Sequence, residues 1–295
     1  MNEDQFRKIR SGQGFIAALD QSGGSTPSAL KAYGIDEHQY SDDDEMFDLM
    51  HAMRSRIITS PSFKGDQILG AILFEDTIDR NFDERSFVSY LWDIKRVVSF
   101  LKVDKGLLDE HDGVQVMKPI PTLASLLSRA ARCGVFGTKM RSFIKLANRT
   151  GIKAVVDQQF HLANQIIATG LVPIIEPEVD IRSTEKGQAE QILNENITEY
   201  LGQLAPHHQV ILKLSLPDVD DFYSDLVRHP NVLRVLALSG GYHQREADLR
   251  MSANHGVVAS FSRALTEGLS VHQSDTEFDA TLERSIAGIF EASLT

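Results

Sequence analysis

Apolar runs of strand length recur along the chain, and a stretch with helical spacing follows almost every one. They begin at GFIAALD, ILGAILF (68 to 74), FLKVDKG, FGTKMRS, LVPIIEPEV, VILKLSLP (210 to 217), VLRVLALSGGY and VVASFSRAL. Most are apolar at nearly every position rather than at alternate ones, as strands of a parallel sheet covered on both faces must be. Apolar spacing predicts helices over 43 to 58, 123 to 134, 151 to 170, about 185 to 204, DDFYSDLVRH and the terminal TEFDATLERSIAGIFEAS. A mixed helical stretch holds Trp92, and the lead MNEDQFRKIRSGQG reads as a short polar connection.

The strand ends fall at Asp20, Phe74, Asp104, Arg141, Glu178, Ser215, Ser239 and Ser262, which makes eight strand-helix units. Eight is the count of a (β/α)8 TIM barrel, whose usual size of about 250 residues leaves room here only for modest insertions. The expectation is an α/β fold with residues 1–295 as one barrel domain. A doubly wound sheet would want G-x-G-x-x-G after its first strand, and GGSTPS lacks the third glycine.

Charged residues interrupt these runs near their carboxyl ends, where a barrel carries its chemistry. Lys213 lies inside VILKLSLP, Lys102 and Asp104 alternate across a short strand ending at Gly106, and Lys139 with Arg141 and Glu176 with Glu178 are each two apart on one face. Lys213 has two readings: a lysine snorkelling to water or to a carboxylate, or an amine kept free, and nucleophilic, by apolar neighbours. Lys139 and Arg141 could likewise be structural partners of Glu176 and Glu178. Burying so many charges costs several kcal/mol per ion, which stability alone does not require. Two further stretches suit phosphate: the turn Ser22, Gly23, Gly24, Ser25 before a helix opened by Pro27, supported by Lys102 and Arg141, and Ser239, Gly240, Gly241 with Arg263. Two anion patches flanking an amine imply a substrate with two phosphates.

Composition narrows the field. A net charge of -11 argues against nucleic acid and anionic membrane as partners. No apolar run reaches the roughly 18 residues of a membrane span, and the charged start lacks a signal-peptide core, so a cytoplasmic protein is expected. The single cysteine, Cys133, excludes an internal disulfide and reads as core. None of the ten histidines has metal-ligand spacing, His207 and His208 read as a solvated loop, and there is no G-x-S-x-G, so neither a metal, another cofactor nor a serine triad is expected. Oligomeric state is left open, a homo-oligomer included.

In order, FIAALDQSGGS, ILGAILFE, FLKVDKG, GTKMRS, LVPIIEPEV, LKL, LSGGY and FSRAL resemble the strand ends of class I fructose-bisphosphate aldolase in its short bacterial form, over nearly the whole chain. The resemblance implies a metal-independent lyase of glycolysis and gluconeogenesis that reversibly cleaves fructose 1,6-bisphosphate to dihydroxyacetone phosphate and glyceraldehyde 3-phosphate. Lys213 would form the Schiff base with C2, Glu176 would exchange protons during dehydration, and Asp20 would take the C4 hydroxyl proton. Glu178 and Lys139 would shape the field at the imine. The C1 phosphate would lie on Ser239, Gly240, Gly241 and Arg263, and the C6 phosphate near Ser22, Ser25, Lys102 and Arg141. The alternatives are a Schiff-base aldolase or transaldolase for another sugar phosphate, and a non-catalytic phosphosugar scaffold. The chain departs from the family's animal members in two ways. It ends IFEASLT without their terminal tyrosine, and Lys31 matches their basic residue after the first phosphate turn only with a shift of register.

Overall fold

In the computed structural model, which describes residues 2–82 and 84–294, the eight apolar runs are parallel strands. They are β1 Phe15–Leu19, β2 Ile68–Leu73, β3 Val98–Lys102, β4 Gly137–Ile144, β5 Val172–Val179, β6 Val210–Ser215, β7 Val232–Leu238 and β8 Val257–Ala259. Each pairs with the next in chain order, and Ala18 N donates to Phe261 O at 3.4 Å, which nearly closes the ring between β8 and β1. This is the expected (β/α)8 barrel.

Two apolar layers sandwich the sheet. Inward residues such as Ala18, Phe100, Ile174, Ile211, Leu236 and Val258 fill the barrel, while outward ones join the helix faces in a larger core. The Arg149–Ile167 helix shows the pattern: Ile152, Val155, Val156, Phe160 and Ala163 are buried at helical spacing. Helices over Asp43–Thr59, Leu123–Arg132, Lys186–Leu201 and Asp275–Ala292 stand where the periodicity predicts them.

The differences from sequence have local causes. The polar lead is a helix, Glu3–Ser11, capped by Asn2, with acids in its first turn and bases in its last. It closes the lower end of the barrel: Ile9 and Phe6 pack onto the interior cluster, and Lys8 Nζ donates to Gly65 O at 2.6 Å. The stretch around Trp92 divides into the helices Glu75–Asp79 and Phe87–Asp93 around a small hairpin, Asn81–Phe82 with Arg85–Ser86. DDFYSDLVRH is helical only over Ser224–Arg228. Strand β3 stops at Lys102, so Asp104 lies beyond it. Cys133 caps a helix half-buried rather than sitting in the core. Among the described residues, no helix is long and apolar enough to cross a membrane.

Candidate active site

Because side chains alternate along a strand, each inward apolar residue is followed two places later by another inward residue, one layer nearer the upper mouth. There the chain places charge: Ala18 then Asp20, Phe100 then Lys102, Ile174 then Glu176, Ile211 then Lys213. These groups line a cavity of about 1070 Å³ at the carboxyl ends of the strands, together with Asp104, Lys139, Arg141 and Glu178. A second hollow of about 810 Å³ opens at the other end, between the Glu3–Ser11 helix and the His207–Gln209 turn. Its lining holds no comparable set of buried acids and amines, so the mouth is the candidate site.

Lys139, Glu176 and Lys213 are each at most 4 % exposed. Lys213 Nζ lies 2.8 Å from Glu176 Oε1, and Lys139 Nζ lies 3.0 Å from Glu176 Oε2 and 2.6 Å from Asp20 Oδ2. Asp104 stands 3.9 Å from Lys139 and 3.3 Å from Lys102. Its oxygens also accept from the backbone N–H of Gly106 and Arg141. Three lysines thus face three carboxylates, a formally neutral cluster. Lys213 is accordingly not an amine alone among apolar side chains, since its strand neighbours bury it while Glu176 pairs with it.

Electrostatics follow from this packing. Burial alone would raise the Asp20 carboxyl, but Lys139, Lys213 and Lys102 outweigh it and hold Asp20 well below the usual carboxylate range. The same contest, decided by Lys139 and Lys213, leaves Glu176 lowered. Burial opposes the charge on Lys139, yet Asp20, Glu176 and Asp104 hold it well above an ordinary lysine. Glu176 Oε2 is ion-paired but has no hydrogen-bond partner, so its hydrogen-bonding capacity is unfilled.

The expected anion ligands gather at the same mouth, with one change. Lys102 Nζ donates to Ser22 Oγ at 2.6 Å, and Ser25 Oγ folds back to Ser22 O at 3.1 Å, ahead of the Thr26–Ala32 helix that Pro27 helps open. Arg141 was expected to face phosphate, but its Nε donates to Glu178, and this pairing outweighs burial and raises its pKa. On the far side Ser239, Gly240 and Arg263 line the cavity, and Gly241 follows in the same turn. Gly240 has φ +60°, and a Cβ there would meet Ile181 at 2.7 Å; Gly241 has φ +120°, with Arg263 Nη2 3.5 Å from where its Cβ would be. The turn therefore needs both glycines. Lys31 is exposed and does not line the cavity. His207 is exposed, and its ring meets His208 edge-on.

Three supporting residues were not read from sequence. Arg54, 1 % exposed, donates to Gln21 O and to Thr77 Oγ1, and burial pushes its pKa down to about 10. Its signal was visible, since Arg54 sits on the helix stripe of Met50, Ile57 and Ile58. Gln159 accepts from Glu176 N at 3.0 Å and donates to Ser142 Oγ at 3.1 Å, fixing the strand at the acid. Lys118 reaches the cavity from a loop no motif marked.

Comparison with known proteins finds relatives along the whole chain. A family model described as glycolytic fructose-bisphosphate aldolase class-I matches residues 5–218. The chain is 60 % identical over 294 residues to the fructose-bisphosphate aldolase class 1 of Synechocystis sp., covering 100 % of this chain and 98 % of that one. It is 57 % identical over 295 residues to the enzyme of the same name from Clostridium acetobutylicum, covering all of both. In fold it is similar to Plasmodium falciparum fructose-bisphosphate aldolase, solved with TRAP and a small-molecule inhibitor. The TM-score is 0.76 at 18 % identity, over 98 % of this chain and 93 % of that one.

Proposed function

This chain belongs to the class I fructose-bisphosphate aldolases, and from that premise we propose that it reversibly cleaves fructose 1,6-bisphosphate to dihydroxyacetone phosphate and glyceraldehyde 3-phosphate through an imine on Lys213. The observation that carries the reading is the 2.8 Å pair of Lys213 Nζ and Glu176 Oε1 at the centre of the mouth. Glu176 takes a proton from the Lys213 ammonium, the freed amine adds to the C2 carbonyl, and the same proton leaves with the departing hydroxyl as water. The resulting iminium is an electron sink. Asp20 removes the C4 hydroxyl proton, C4 leaves as the aldehyde, and the C3–C4 electron pair moves into the iminium to give an enamine.

Lys139, between Asp20 and Glu176, holds both carboxylates at the reacting centre. Glu178 orients Arg141. Ser239, Gly240, Gly241 and Arg263 take the C1 phosphate, and Ser22, Ser25 and Lys102 the C6 phosphate, with Arg141 contributing as Glu178 allows. The whole chain then acts as one catalytic domain in the cytoplasm, where its glycolytic substrate resides. The test is trapping: incubate with dihydroxyacetone phosphate, reduce with borohydride, digest and weigh the peptides. The expected result is an adduct on the peptide bearing Lys213 and none in Lys213→Ala, which also fails to cleave. An unmodified Lys213 peptide overturns the assignment.

A further inference from the structure

Phosphate needs positive charge that is not already spoken for, and most cations at the mouth are engaged. Lys139 and Lys213 pair with Asp20 and Glu176, Lys102 with Asp104, Arg141 with Glu178, and Lys105 with Glu75. Among the described residues, two cavity-lining cations have no carboxylate partner, Arg263 and Lys118. They stand on opposite sides. Arg263 follows β8, whereas Lys118 lies in the connection between β3 and β4, ahead of the Leu123–Arg132 helix, and in an eight-membered ring β3 and β4 face β7 and β8.

The loop is built to hold Lys118 in place. It turns at Gly106 (φ +91°) and returns so that Lys118 N donates to Gly106 O at 2.9 Å. Gln158 fixes the preceding residue twice, accepting from Met117 N at 2.8 Å and donating to Met117 O at 2.9 Å. Val114 and Gln115 add a short antiparallel edge to β4 at Ile144 and Phe143. A backbone pinned from both sides delivers an exposed ammonium to the rim without tying it up.

We infer that Lys118 is a specificity residue for the phosphate remote from Lys213, a phosphomonoester dianion, and that it is why a bisphosphate is preferred over a 1-monophosphate. The inference rests on the lyase reading above. Lys102 and the serine turn hold that phosphate from within, and Lys118 adds the uncompensated charge from the rim.

The test compares kcat/KM for fructose 1,6-bisphosphate with that for fructose 1-phosphate in wild type, Lys118→Met, Lys118→Arg and Lys31→Met. The ratio falls about 10-fold in Lys118→Met, the scale of one charge-assisted hydrogen bond. It is largely retained in Lys118→Arg, and it is unchanged in Lys31→Met, a cation outside the cavity. If wild type prefers the bisphosphate and Lys118→Met keeps the preference, the inference alone falls. It falls likewise if wild type cleaves both esters equally well. A wild type that cleaves neither removes the lyase reading and the inference together.

Discussion

Lys139→Met removes the cation on which the buried cluster turns, and its effect can be worked through. At an effective dielectric of about 20, the contacts to Asp20 and Glu176 are worth roughly 6 and 5.5 kcal/mol of gross attraction. Desolvation of the same ions offsets most of that, so the measurable quantity is the loss when one partner of a buried set is removed, about 3–5 kcal/mol. With a urea slope of about 3 kcal/mol/M for a chain of this size, the midpoint at neutral pH drops by roughly 1 to 1.7 M.

The sign of the pH dependence follows from the shifts. Asp20 and Glu176 are lowered in the folded state, so their contribution is present above the ordinary carboxylate pKa of about 4 and is lost as pH falls through their folded values. Lys139 is raised, so its contribution is present below about 10 and is lost as pH rises through its folded value. In wild type the cluster therefore stabilises across the whole neutral range. In Lys139→Met two lysines face three buried carboxylates. Asp20 and Glu176 lose the cation that lowers them most, so both shift upward, and protonation that begins at a higher pH than in wild type relieves the variant. Urea melts of both proteins at about pH 8 and about pH 5 should show the gap narrowing toward acid. Equal midpoints at about pH 8, or a gap of the same size at both, would refute the argument.

Two further substitutions probe the ends of the barrel. Arg263→Ala should raise KM for fructose 1,6-bisphosphate by roughly 10- to 100-fold, the scale of a lost hydrogen bond to a charged group, with the borohydride adduct still forming at high dihydroxyacetone phosphate; an unchanged KM removes Arg263 from the phosphate site. Ile9→Ala opens a void beneath the barrel and should cost about 2–4 kcal/mol of stability while kcat at 25 °C is retained, and a urea midpoint equal to wild type would show that the Glu3–Ser11 helix is not a structural plug.

The barrel was legible because its strands are buried on both faces, which makes each of them a nearly unbroken apolar run. The Glu3–Ser11 helix was not, because only Phe6 and Ile9 of its nine residues are apolar and it is positioned by the floor it closes. Asp104 read as a strand residue because alternation continues past Lys102 in the sequence. In the fold β3 ends there, although Val103 N still donates to Lys139 O at 2.9 Å. The residue types at the mouth were legible as polar exceptions in apolar runs, but their pairing was not. Partner choice depends on the stagger between neighbouring strands: Arg141 stands in register with Glu176, yet its side chain reaches up to Glu178 and leaves Glu176 to the two lysines. Lys118 was invisible for a similar reason, since only the return of its loop to Gly106 brings it to the rim.

The neutral balance of the cluster has a consequence for the proposed chemistry. Before reaction, Lys102, Lys139 and Lys213 face Asp20, Asp104 and Glu176. Converting the Lys213 ammonium into an iminium keeps a positive charge at that position, so imine formation leaves the balance as it was. Cleavage of C3–C4 then removes two charges together: the iminium becomes a neutral enamine, and Asp20 becomes a neutral acid. What remains is Lys102 and Lys139 against Asp104 and Glu176, again balanced, and Lys139 keeps two of its three carboxylates. Each step therefore moves protons and electron pairs within a buried set whose net charge stays at zero, so no ion is left uncompensated in the low-dielectric interior. The phosphates, whose charge is never neutralised by the reaction, would sit toward the rim, on the turns with Arg263 and Lys118, and Lys102 is the one member of the set proposed to reach a phosphate. Removing Lys139 unbalances every one of these states by the same single charge, so in that variant imine trapping and cleavage should fall together rather than one step alone.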